Sequence, residues 1–270
     1  MAGRPTIVSS ESVDGIEIRV PEPLKRFYRA VLPDDLRANL RNQLRAGLFW
    51  LNPRRRRDAL REIHSCTTID DYFDFATKHF GHLQLKKEIV DFLYFAAEYA
   101  PVRICEVGLS VGGTNVMLTH ALSSVRLVIG VDLRVLNRSQ LRYFADPSCS
   151  QVLIDGPSCS ERTLGTIEHS LGSEKLDLLF IDADHSYAGV KQDFLSYRHF
   201  VRDGGIIAFH DIVPDHRSFS AAAGCDVYLF WRKLKPFYQV TQEFVADYEQ
   251  DGRGIGALLY DSKVNLPDDL

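Results

Sequence analysis

Apolar residues along this chain recur with two different periods, and the change from one to the other near Val102 divides it. Before that point the spacing is helical. Leu36, Leu40, Leu44 and Leu48 repeat at i+4 after Asp34, a residue suited to capping, and Asn52-Pro53 ends the run. Tyr72, Phe73, Ala76 and Phe80 make the apolar face of a second helix, Ile69 to about Phe80, which Gly81 stops. Ile89, Phe92, Leu93 and Ala96 make the inward face of a third, Gln84–Tyr99. Residues 1–20 carry little helical period and are expected to be partly disordered or an edge strand.

Beyond Val102 short apolar runs alternate with helical stretches. Strands are expected at Val102–Val107, Leu127–Val131, Gln151–Ile154, Leu176–Ile181 and Gly205–Phe209, with helices near 113–123, 138–145, 160–171 and 187–201. Parallel strands need crossover connections of about this length, so the alternation calls for βαβ units. Cys225–Leu234 reads as a helix, and Pro236–Val245 and Gly254–Tyr260 as two β-rich segments that pair antiparallel at the sheet's edge. The expected fold class is α/β: a doubly wound, mostly parallel sheet of seven strands with a helical N-terminal extension. The extension is placed at 1–81 and the ligand-binding domain at 82–270.

Composition narrows the class. With 270 residues, 45% of them hydrophobic, the chain can bury a full core. No apolar run approaches the roughly 20 residues of a membrane span, and Met1–Ser10 lacks the apolar stretch of a signal peptide. Five cysteines at 66, 105, 149, 159 and 225 form no CxxC pair, which suits reduced thiols. A cytoplasmic enzyme is the expectation.

The net charge of −4 hides an asymmetry: residues 1–62 hold 13 Lys and Arg against 8 Asp and Glu, and the rest hold 19 against 28. A basic arm on an acidic body is expected to dock on an acidic surface, whether the body itself, a partner subunit or anionic lipid. The preferred reading of its helix is a lid or dimer-packing element in a homo-oligomer. Leu48-Phe49-Trp50-Leu51 beside Arg54–Arg57 also has the makeup of a membrane-surface helix, so residues 36–57 are candidates for peripheral membrane contact. Nucleic acid is not expected as a partner, because the body is acidic.

The chemistry concentrates at strand ends. Residues 177–187, Asp-Leu-Leu-Phe-Ile-Asp-Ala-Asp-His-Ser-Tyr, run from a buried strand into two carboxylates, an imidazole and a phenol. In an open parallel sheet the carboxyl ends of strands face the ligand crevice, which puts Asp182, Asp184 and His185 on that rim. The plainer possibility is a loop whose Asp residues cap the next helix. The fifth strand ends in His210-Asp211, beside the same rim. Asp182 and Asp211 could share a divalent cation, with His210 pulling toward a softer ion than Mg²⁺. Without metal, the pair reads as a hydrogen-bonded acid/base couple.

The first strand leads into Glu106-Val-Gly108-Leu-Ser-Val-Gly112-Gly113-Thr114, a glycine turn opening a helix. Its spacing departs from the dinucleotide pattern, and a carboxylate at Glu106 would repel phosphate and suit a cationic ligand group. Asp132, at the end of the second strand, sits where a ribose diol would be bound. Asp155-Gly156-Pro157-Ser158 follows the third strand and could complete the site at the adenine.

These residues in this order resemble the class I S-adenosylmethionine-dependent methyltransferases over roughly residues 82–260. The similarity is closest to small-molecule O-methyltransferases of the cephalosporin-hydroxylase-like and macrolide-sugar group. Ile181-Asp-Ala-Asp-His-Ser-Tyr187, then Gly-Gly and a strand ending in His210-Asp211, carry the likeness. It implies S-adenosylmethionine held by Glu106, Gly108, Gly112, Gly113, Thr114, Asp132, Gly156, Ser158 and Asp182. It implies Mg²⁺ on Asp182 with the pair His210 and Asp211, His185 as base, and a hydroxyl of a sugar or glycosylated metabolite as acceptor. The chain departs from the group at His210, where an acidic residue is usual, and at Pro157, where Asp is. A metal-independent methyltransferase, a nicotinamide-dependent oxidoreductase that would share the Gly loop and Asp132, and a non-catalytic scaffold remain as alternatives.

Overall fold

The computed structural model describes residues 12–13, 16–17, 49–81, 84–214, 225–247, 249–267 and 270. The chain divides into two compact units, Met1–Arg61 and Glu62–Leu270. In the first, β1 (Ser12–Val13) and β2 (Ile16–Glu17) pair antiparallel as a separate ribbon rather than as an edge of the larger sheet. Residues 34–48 of the expected leucine-spaced helix lie outside the described residues. Residues 49–51 are helical and the helix ends at Asn52, as the sequence predicts; Arg54–Arg57 then open a second one, α1 (Pro53–Ser65). Pro53 lacks only an N–H that a first turn leaves unused, and Asn52 Oδ1 accepts from the N–H groups of Arg54 and Arg55 at 3.1 and 3.2 Å.

In the second unit α2 (Ile69–Phe80) begins with a capping box between Thr68 and Asp71 and stops at Gly81, whose φ of 75° is the left-handed C-cap expected of it. α3 (Lys86–Glu98) buries Ile89, Phe92, Leu93 and Ala96, the face its spacing predicts. Strands and helices then alternate: β3 (Arg103–Val107), α4 (Gly113–His120), β4 (Leu127–Asp132), α5 (Arg138–Tyr143), β5 (Ser150–Asp155), α6 (Glu161–Leu171), β6 (Leu176–Ile181), α7 (Tyr187–Tyr197) and β7 (Val201–His210). α8 (Val227–Leu234), β8 (Thr241–Phe244) and β9 (Ile255–Leu259) complete the unit. The seven strands lie in the order β5-β4-β3-β6-β7-β9-β8, parallel except for antiparallel β9, which pairs with both β7 and β8.

Alternate side chains of each strand face opposite layers. Cys105, Val107, Leu179 and Ile181 pack with α6, α7 and α8 through Ile167, Phe194 and Phe230. Ile104, Leu178 and Phe180 pack on the other face with α2, α3 and α4 through Phe73, Phe92 and Met117. Register places the site. Val107 is level with Val131 and Ile181, Ile181 with Phe209, and Val131 with Ile154. The carboxyl ends of five parallel strands therefore finish along one line. Cys66, Cys105, Cys149 and Cys159 are free thiols, and no helix among the described residues is long and apolar enough to cross a membrane.

Candidate active site

Three strand ends build the floor of the site. The exits of β3 and β6 touch: Asp182 N–H donates to Val107 O at 2.8 Å, and a Cβ on Gly108 would overlap the Asp182 carbonyl oxygen. Gly108, at φ 95°, is thus required both for its backbone angle and for this contact. Past it, Ser110 N–H donates to Asp132 Oδ2 at 2.8 Å, while Asp132 Oδ1 accepts from Arg134 N–H at 2.9 Å. Asp132 thus caps its own turn and still lines a cleft of about 620 Å³ with Gly108, Gly156, Ser158, Asp182 and His185.

The other residues expected around the cofactor do not line that cleft. Glu106 shares a sheet face with Ile104, and period-two alternation sends its side chain under α4, 1% exposed, where Oε2 accepts from Asn115 Nδ2 at 3.0 Å. Burial, tempered by that bond, pushes its carboxyl well above the usual range. Glu106 therefore offers no grounds for choosing a sulfonium over a phosphate. Gly112, the left-handed N-cap of α4, packs against Leu141, where a Cβ would come within 2.8 Å of a methyl. Gly113 and Thr114 are buried in the first turn of the helix.

The tips of β6 and β7 bring the titratable groups together. One donor atom from each of Asp182, His185 and Asp211 lies within 4.8 Å of the other two. His185 Nε2 stands 3.5 Å from Asp182 Oδ1 and 3.3 Å from Asp211 Oδ2, with its side chain 45% exposed. His210, expected among the metal ligands, lies outside this trio. It is still in the ladder, paired with Ile255 and buried, and its Nδ1 lies 3.3 Å from Oδ1 of both Asp182 and Asp211. Asp211 is the first residue past the strand and takes a left-handed φ of 64°.

Each charge has a cause. Burial opposes ionisation of Asp182, yet His210 and His185 outweigh it and hold the carboxyl below the usual range. Burial equally opposes a proton on His210, and the Asp182 and Asp211 carboxylates reverse this and raise it well above an ordinary imidazole. His185 is raised as well, first by its contact with Asp182, against the effect of burial. The plainer capping role falls to a neighbour. Asp184 Oδ1 accepts from Ser186 N–H at 2.9 Å, and Ser186 caps α7 by accepting from Gly189 N–H at 3.0 Å.

Two residues escaped the sequence reading. Gln84 donates from Nε2 to Asp182 Oδ2 at 3.3 Å across 98 positions of sequence. Asp193, buried on α7, accepts from Ser158 Oγ at 2.6 Å and so fixes a residue of the cleft wall. A glutamine before a helix and an aspartate within one carry no pattern that marks such roles.

The fold is that of the class I methyltransferases. Residues 105–212 match the family model described as a methyltransferase domain. No curated protein matches the sequence. Among solved structures, the O-methyltransferase from Bacillus cereus with S-adenosylhomocysteine is 15% identical, covering 73% of this chain and 92% of its own, at a TM-score of 0.51. TomG from Streptomyces achromogenes, an O-methyltransferase of tomaymycin synthesis solved with S-adenosylmethionine, is 16% identical over the same shares, also at 0.51. MycE of the mycinamycin pathway, solved with Mg, S-adenosylhomocysteine and mycinamycin VI, is 13% identical over 76% of this chain and 58% of its own, at 0.51. At these identities the likeness is one of fold.

Proposed function

We propose that this chain is an O-methyltransferase that passes the methyl group of S-adenosylmethionine to a hydroxyl of a small molecule, a sugar or glycosylated metabolite. One observation carries the reading: Asp182, His185 and Asp211 converge within 4.8 Å, and two of them line the cleft that also holds Asp132. Asp132 keeps lone pairs free for the ribose hydroxyls, and the Gly156–Ser158 turn forms the wall for the base. The acceptor oxygen attacks the methyl carbon as the carbon–sulfur bond breaks, and the electron pair goes to sulfur. The hydroxyl proton leaves to His185 Nε2, where the flanking carboxylates stabilise the imidazolium. Most of the remaining rate comes from alignment of oxygen, methyl and sulfur.

The same donors fit a divalent cation. Asp182 is held ionised, and its carboxylate together with that of Asp211 supplies the hard oxygen donors that suit Mg²⁺ or Mn²⁺. Asp182 and Asp211 would hold it; a bound cation lowers the pKa of a hydroxyl it coordinates. The MycE structure, of similar fold, contains Mg.

Calorimetry tests the reading directly. S-adenosylmethionine and S-adenosylhomocysteine should bind at micromolar levels and NAD should not. Methyl transfer to a panel of glycosides should fall with EDTA and return with Mg²⁺ or Mn²⁺. Binding of NAD in place of S-adenosylmethionine would overturn the proposal.

A further inference from the structure

The cluster at the strand tips has a fourth contributor from outside the strands. Gln84 precedes α3, is 7% exposed, and spends its Nε2 on the Asp182 oxygen that neither imidazole contacts. Its own Oε1 is buried with no partner among the described residues. A buried carboxamide oxygen left unpaired is unfavourable, so packing alone gives no reason for a glutamine at this position. A methionine or leucine would fill the same space without that cost.

Gln84 also stands on a fixed support. One turn into α3, Glu88 is fully buried and accepts from Gly254 N–H at 3.0 Å, Ala246 N–H at 3.2 Å and Gln250 Nε2 at 2.6 Å. The segment it gathers is bonded in turn to the chain just after Asp211: Val213 N–H donates to Arg253 O at 2.8 Å, and Gly252 N–H to Pro214 O at 2.9 Å. The start of α3 therefore braces both strand tips, Asp182 through Gln84 and the chain after Asp211 through Glu88.

We propose that Gln84 is a positioning residue of the methyl-transfer centre: it fixes the Asp182 carboxylate facing His185 and Asp211. The inference rests on the proposed function for what Asp182 does, though not for how it is held. Residues that orient a metal-binding carboxylate typically change metal affinity by about 10- to 100-fold when removed.

The test uses the whole chain and Gln84→Met, which keeps the length and removes donor and acceptor, with Gln84→Glu as a second variant that puts an acceptor against Asp182. Mn²⁺ alone and S-adenosylhomocysteine alone are titrated calorimetrically, and the Gln84→Met crystal structure is solved. Mn²⁺ affinity should fall about tenfold or more, S-adenosylhomocysteine affinity should stay within about twofold because Gln84 does not line the cleft, and the Asp182 carboxylate should turn away from His185. Unchanged Mn²⁺ affinity with an unmoved carboxylate overturns the assignment, and so does a parallel loss of both ligands and of melting temperature. If the unaltered protein binds S-adenosylhomocysteine but no Mn²⁺, the cation reading fails alone, and the carboxylate's orientation in the variant still decides the role of Gln84.

Discussion

Glu106 and Asp182 are carboxylates at the ends of paired parallel strands, and the protein treats them in opposite ways. Glu106, level with Phe180 on β6, turns under α4 and meets one amide, Asn115. Asp182, one residue past β6, meets two imidazoles and the Gln84 amide. Burial works on both. It wins at Glu106, which is pushed toward its neutral form, and it loses at Asp182, which is held ionised. What decides a buried carboxylate is the set of groups facing it, and that set depends on whether the residue is still inside the strand or has just left it.

The sharpest way to break this comparison is at the Asp182 end. His185→Ala removes the candidate base from a half-exposed position without touching the glycine turn. Turnover should drop about a hundred- to ten-thousandfold, while calorimetry with S-adenosylhomocysteine gives a near-normal affinity. A folded variant that has lost cofactor binding would show that His185 belongs to the nucleoside site instead. If His185 is the base, it must be neutral to work in the unaltered protein. Because Asp182 raises the proton affinity of His185, activity should climb with pH through a value above the ordinary imidazole pKa of about 6.5. A plateau already reached at pH 6 would contradict that order.

Next in size is the nucleoside end. Asp132→Ala should weaken S-adenosylhomocysteine by about tenfold to a hundredfold, the loss of one or two hydrogen bonds to a charged group. Part of the effect comes through Ser110, whose N–H the carboxylate also holds. Asp132→Asn keeps an acceptor oxygen and should recover part of the affinity. Equal losses in both variants would point to the negative charge rather than the bonds.

The fold was readable from the chain because its signals are local and repeated. Leu176–Ile181 is a six-residue apolar strand with the bounds its pattern predicts, and the switch from helical to strand spacing near Val102 marks where β3 begins. Asp182, His185 and Asp211 were readable for a related reason: in-register parallel strands must finish together, so residues just past their ends meet. Strand alternation was the harder part. Glu106 and His210 are the penultimate and last residues of their strands, so facing, rather than position, governs them, and a glycine-rich neighbourhood suggested ligand contact where the side chain packs inward. Gln84 was invisible for another reason. Its partner is 98 positions away, and no local periodicity encodes a contact between a helix start and a distant strand tip. Asn52-Pro53 is both a stop, which residues 49–51 obey, and, through the Asn52 cap, the start of α1, which the leucine spacing before it does not signal.

The smallest expected effect closes the comparison from the Glu106 side. If Glu106 is sealed under α4 and already held toward its protonated form, Glu106→Gln replaces one neutral hydrogen-bonding group with another of nearly the same shape. Cofactor affinity should then stay within about twofold, since a neutral buried group contributes little electrostatic attraction to a sulfonium. Stability should respond to pH with a definite sign. A carboxyl raised in the folded state holds a proton that the unfolded chain has released, so unaltered protein loses stability as pH rises from about 4.3 toward the raised folded value. The glutamine variant has no such slope, and its melting temperature should pull ahead of the unaltered protein as pH rises from 4 to 8, with the two nearly equal at the acid end. A variant that binds S-adenosylmethionine tenfold more weakly than before, with no change in its melting curve, would instead place a charged Glu106 within reach of the ligand and make the two carboxylates alike.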